Sequence, residues 1–151
     1  MINIEKKKKT KTKEPLPTLQ ERFELHRQAS ETIRKASKSL GFTQLPFKDS
    51  EAANGMTALY YPPGVTAADL LPRLAKKGVV VAGGLHVDIK GISVFFFVVA
   101  GSELSLSDKY FRIGHMGISV VNPSREDVNK VIKSLQEALE EVEEVKAKHR
   151  F

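Results

Sequence analysis

Cysteine and tryptophan are both absent from the 151 residues, and methionine occurs only three times. Without cysteine the chain has no disulfide scaffold, no thiolate metal site and no thiol nucleophile, and its redox compartment is left open. Long apolar runs are missing too. The longest lies in Ile92 to Ala100, where eight of nine residues are apolar, well short of the roughly 20 that a membrane-spanning helix needs. The lysine-rich start is followed by no apolar stretch, and His149-Arg150-Phe151 is not a Ser-Lys-Leu type address. Neither a secretory signal nor a transit peptide is therefore expected, and cytoplasm is the default expectation. The four histidines are scattered, with no His-x-x-x-His pair and no acidic cluster around them, so no metal site is expected.

What is present is the composition of an ordinary globular chain, 41% hydrophobic and 28% charged. The length suits one domain. The formal net charge of +6 is unevenly placed, because residues 1–13 hold six lysines against Glu5 and the remainder is almost neutral. A lysine run confined to one end reads as a solvated tail, and the body lacks the basic surface that a nucleic-acid partner requires.

Pro15-Leu16-Pro17 keeps the chain extended, and Thr18 with Glu21 forms a capping box. Leu19, Phe23, His26, Ala29, Ile33, Ala36 and Leu40 then recur at helical spacing until Gly41, which predicts one long amphipathic helix. Gly41–Phe47 reads as a short edge strand or loop, and Gly55–Tyr61 as a strand ended by Pro62-Pro63-Gly64. Thr66–Lys77 carries Leu70, Leu71 and Leu74 on one face, with Pro72 placing the helix start near Asp69 or bending it. Val79–Ala82 is expected to be a strand buried on both faces, and Phe111–Ser119 a further strand. Ser124 and Asp127 are spaced to cap a last helix with the stripe Val128, Val131, Ile132, Leu135, Leu139, Val142 and Val145. The fold class is α+β: a long N-terminal helix and a small, mainly antiparallel sheet of three or four strands covered by helices.

Two stretches carry a resemblance: Ala52–His86, with Gly83-Gly84-Leu85 near its end, and Lys109–Gly117, with Arg112-Ile113-Gly114. Together they resemble the class V aminotransferases, fold-type-I enzymes that use pyridoxal phosphate, and among them the fungal-type alanine–glyoxylate (serine–pyruvate) aminotransferases. The likeness runs from about Glu14 to Val145 and implies the C-terminal small domain with its leading helix. It divides the chain into a basic tail at 1–13, an interdomain-type helix at 14–41 and the small domain at 42–151. The resemblance implies amino-acid and 2-oxo-acid substrates and a homodimeric parent, while the charge distribution and the short apolar run lead us to expect neither a nucleic-acid nor a membrane partner. A peroxisomal or mitochondrial parent is compatible with it, although this sequence carries no such signal.

The large domain, which in the family carries the cofactor lysine, has no counterpart here, so the chain alone is expected to hold no catalytic residue, to bind no pyridoxal phosphate and to be inactive. The resemblance assigns Arg112 the substrate carboxylate, because a guanidinium offers two parallel N–H donors to it. Gly83, Gly84 and His86 fall near that site by similarity. Read from the residues alone, the glycine pair is a backbone-packing feature and His86 an exposed turn residue. His115 lies three positions beyond Arg112, on the opposite strand face, and reads as a hydrogen-bonded structural imidazole. Ile92–Asp108 separates two segments that adjoin in the family; its apolar run reads either as a buried strand or, as the hypothesis preferred here, as an atypical insertion of translated intron in a fragmentary gene product. A stand-alone α+β binding domain with a basic tail is the alternative.

Overall fold

The computed structural model describes residues 17–84 and 109–149. The basic tail, His86 and the 92–108 insertion lie outside these residues.

Helix α1 spans Leu19–Ser39. Its start is the expected capping box: Thr18 Oγ1 accepts from the Glu21 amide at 3.3 Å, and the Glu21 carboxylate accepts from the Thr18 amide at 2.7 Å. Gly41, at φ +85°, turns the chain out of the helix in the left-handed region that glycine enters without steric cost. Strand β1, Thr43–Gln44, follows at the sheet edge, and β2 is Met56–Tyr60.

Helix α2 covers Ala67–Lys76, with Pro72 inside it. It begins two residues before the Asp69 start that the proline suggests. The reason is a second capping box, in which the Asp69 carboxylate accepts from the Thr66 amide at 3.0 Å while Thr66 Oγ1 accepts from the Asp69 amide at 3.3 Å. Pro72 lies beyond the first turn, so the helix forgoes the bond that residue 72 would give the Ala68 carbonyl, and the capping box offsets part of that cost.

The valine run departs from expectation. Only Ala82–Gly83 form a strand, β3, while Val79 is buried and Val80 is 89% exposed. An extended chain at a sheet edge turns alternate side chains outward, so three consecutive valines cannot all be buried there. The Phe111–Ser119 strand is shorter as well: β4 is Tyr110–Gly114, and Gly117 at φ +65° reverses the chain into the short helix α3, Ile118–Val121. Ser124 does not cap the last helix. It sits in a 3₁₀ turn, Pro123–Arg125, with its hydroxyl on Asn122 Oδ1, and Glu126 precedes α4, Asp127–Lys148.

The sheet is antiparallel in the order β1-β2-β4-β3. One face carries Leu59, Phe111 and Ile113 into a core completed by Ile33 and Phe42, Leu70 and Leu74 of α2, and Leu135, Ala138 and Leu139 of α4. Full burial of each large apolar side chain contributes on the order of 1.5–3 kcal/mol before chain entropy is counted. The arrangement is α+β, helices on one face of a four-stranded antiparallel sheet. No helix of the described residues is long and apolar enough to cross a membrane.

Candidate functional site

Alternation along β4 sends Phe111 and Ile113 into the core and Tyr110, Arg112 and Gly114 to the opposite face. Arg112 therefore stands in a central strand, on the side of the sheet away from the core helices. Its cross-strand neighbours are Ala58 on β2 and Ala82 on β3. Two short side chains leave the guanidinium room that larger neighbours would fill.

The Arg112 side chain is half-buried, and its Nε donates to the Gly83 carbonyl at 3.0 Å. That bond fixes the plane of the guanidinium. Among the described residues the two terminal nitrogens have no hydrogen-bond partner, and no carboxylate lies within ion-pair distance of them. A partly desolvated cation without an acidic partner favours an anion.

Gly83 and Gly84 are brought to the same place. Gly83 supplies the carbonyl that holds Arg112, and the Gly84 amide donates to the Tyr110 carbonyl at 3.0 Å. A Cβ on residue 84 would lie 2.5–2.8 Å from three atoms of the Tyr110 ring. Glycine is thus the residue that lets this ring lie down over β3. The Tyr60 and Tyr110 rings meet edge to face at 6.3 Å. Sequence reasoning misses these two tyrosines and the flanking alanines, although the two-residue step from Tyr110 to Arg112 places both on one face. His86 lies outside the described residues.

His115 falls on the far side, 3% exposed, with Nε2 2.8 Å from Thr57 Oγ1. Its Nδ1 is buried and makes no well-formed hydrogen bond. Burial pushes the imidazole pKa down, and the nearby charges of Arg34 and His26 act in the same direction. It is a packed, neutral imidazole remote from Arg112.

The described lysines are almost all exposed. Lys77 and Lys146 are the half-buried ones. Lys77 Nζ lies 2.7 Å from Glu141 and 3.0 Å from Glu137, whose hydrogen bonds hold its pKa above the ordinary value, and Lys146 faces Asp69 at 3.7 Å. Among the described residues no group of three His, Asp or Glu side chains is placed to hold a metal ion.

No protein-family profile matches the chain. A curated protein does: alanine–glyoxylate aminotransferase 1 of Saccharomyces cerevisiae is 32% identical over an alignment of 108 residues, and the match covers 69% of this chain and 22% of that protein. This chain is similar to part of an aminotransferase. Solved aminotransferases share the fold. Ureidoglycine–glyoxylate aminotransferase from Bacillus subtilis matches with a TM-score of 0.61 at 24% identity over 83% of this chain and 27% of its own. A subgroup IV aspartate aminotransferase from Thermus thermophilus matches with a TM-score of 0.59 at 23% identity, over 82% and 28%. The class V aminotransferase resemblance thus holds in both sequence and fold, and the chain spans between a fifth and a third of these relatives' lengths.

Proposed function

We propose that this chain serves as the arginine-bearing, C-terminal part of a larger alanine–glyoxylate type aminotransferase, with Arg112 taking the carboxylate of an amino-acid or 2-oxo-acid substrate. The observation that carries this reading is the half-buried Arg112 guanidinium, oriented through Nε by the Gly83 carbonyl and lacking an acidic partner among the described residues. A planar fork held in one orientation binds a carboxylate through two parallel N–H bonds, and that sets the distance from the anchor to the substrate's reacting carbon. The Ala58 and Ala82 shoulders give it access.

In the class V family the cofactor is pyridoxal phosphate. The described residues do not suit its aldehyde. A lysine that forms a Schiff base needs a desolvated amine of lowered pKa, whereas Lys77 is held protonated by two glutamates and Lys146 faces Asp69. The cofactor and the proton-transfer lysine therefore belong to another part of the enzyme in this reading, and the chain's own share is to bind and orient the substrate. The interdomain-type helix at 14–41, the small domain at 42–151 and a homodimeric whole follow from the same reading.

The test is complementation. A yeast alanine–glyoxylate aminotransferase deprived of the region that matches this chain is co-expressed with this chain, and alanine–glyoxylate transamination is measured. Activity that returns with the chain and falls with Arg112→Ala supports the proposal. Activity that never returns, or that returns regardless of residue 112, overturns it.

A further inference from the structure

A cavity of about 600 Å³ opens between the C-terminal half of α1 and strand β1, within the size range of small-molecule sites. It is separate from the Arg112 face. Its floor is the buried pair Phe42 and Leu59, which belong to the helix-covered side of the sheet, whereas Arg112 pairs with Ala58 on the other.

The cavity's charges are unevenly engaged. Glu31 is paired with Arg27 at 2.5 Å, and Asp49 accepts from the Gln44 side-chain amide. Arg34 donates to Ser30 Oγ. Lys35 and Lys38, one turn apart on the same wall, have no ion-pair partner among the described residues. Glu31 is thus neutralised while Asp49 keeps its charge, and against that one carboxylate stand three cations without an ion-pair partner among the described residues, Arg34, Lys35 and Lys38, so the cavity favours an anion.

A third feature narrows the ligand. Gln44 spends its side-chain N–H on Asp49, but its Oε1 is buried and accepts no hydrogen bond. A buried acceptor left unmade is costly, and a ligand O–H or N–H would satisfy it. We infer that the cavity binds a small aromatic or otherwise flat apolar carboxylate that also carries a hydroxyl or N–H donor. The apolar body lies over Phe42 and Leu59, the carboxylate meets Lys35 and Lys38, and the donor pairs with Gln44 Oε1 as that side chain turns toward the cavity.

The experiment uses the full chain and 6-hydroxy-2-naphthoate, whose hydroxyl and carboxylate lie at opposite ends of an apolar ring pair, followed by amide NMR shifts. Saturable shifts are expected at Lys35, Lys38, Thr43 and Gln44. The double variant Lys35→Glu/Lys38→Glu, both at exposed positions, should weaken binding at least tenfold while melting at an unchanged temperature. On the unaltered chain, 2-naphthoate, which lacks the donor, and 2-naphthol, which lacks the carboxylate, should each bind several-fold more weakly. Shifts centred instead on Phe23 and Met116, equal affinity for all three compounds, or no saturation at millimolar concentration would each overturn the inference.

Discussion

The ring of Tyr110 occupies the space that a side chain on Gly84 would need, with its Cε1 2.5 Å from where that Cβ would be. The two residues are also joined by the bond from the Gly84 amide to the Tyr110 carbonyl. Gly84→Ala should therefore destabilise the fold by about 1–3 kcal/mol, the scale of overpacking at a close-packed site. Urea unfolding checks this, and a double-mutant cycle with Tyr110→Ala should recover most of the loss because the clash is pairwise. Additive effects would locate the strain elsewhere.

Arg112→Lys keeps the charge and loses the planar two-donor fork. In an enzyme completed with a large domain and relieved of residues 92–108, the substitution should weaken transition-state anchoring by about 1.5–3 kcal/mol. That is roughly a ten- to hundredfold fall in kcat/KM. Cofactor absorbance should be unchanged, since its binding groups lie elsewhere in this reading. Near-normal efficiency toward amino-acid donors would remove Arg112 from the site.

His115 makes stability depend on pH. Its folded pKa is depressed by burial below the ordinary value of about 6.5, so the unfolded chain binds the extra proton first. Stability is full above about pH 6.5 and is lost as the pH falls toward the folded value. The carboxylates held low by their partners, Asp69 and Asp127 among them, act only below about pH 4.5. Melting temperature should drop between about pH 7 and 5, and His115→Gln should flatten that slope even if it lowers the plateau. An unchanged slope in the variant would refute the assignment.

Leu19 and Phe23 occupy one face of α1 and are 66% and 59% exposed. His26, one turn on, accepts from the Gly117 amide at 3.1 Å, next to exposed Met116 and Ile118. This apolar surface should drive self-association of the isolated chain at micromolar concentration. Sedimentation velocity should show it, and Leu19→Gln/Phe23→Gln should reduce it. A clean monomer of the unaltered chain would contradict the expectation.

Short-range chemistry is legible in the residues themselves. The Thr18 box, the Gly41 exit, the β2 segment and the α4 stripe as far as Val142 each depend on residues a few positions apart and occur as the sequence predicts, whereas Val145 at the end of the stripe is exposed. Thr66-Ala67-Ala68-Asp69 carries the same capping logic, and in α2 that box outweighs the later start that Pro72 favours. In α1 the spacing points to Leu19 and Phe23, yet the buried face is Ala29, Ser30, Ile33 and Ser37. Only the second half of the helix meets the sheet, and small hydroxyl side chains permit close approach there.

The sequence by itself determined the periodicities, the Thr18 cap, the left-handed exit at Gly41 and the aminotransferase likeness, because all of these are written in neighbouring residues. Tertiary structure alone decided that Val80 points outward, that Gly83 orients Arg112 across 29 positions, and that Tyr110 lies over Gly84. It also decided that α1 and β1 enclose a cavity with an unsatisfied Gln44 oxygen. Such relations depend on which strand lies beside which and in what register. A sheet ordered β1-β2-β4-β3 sets them through pairings far apart in the chain, where short-range pattern has no reach.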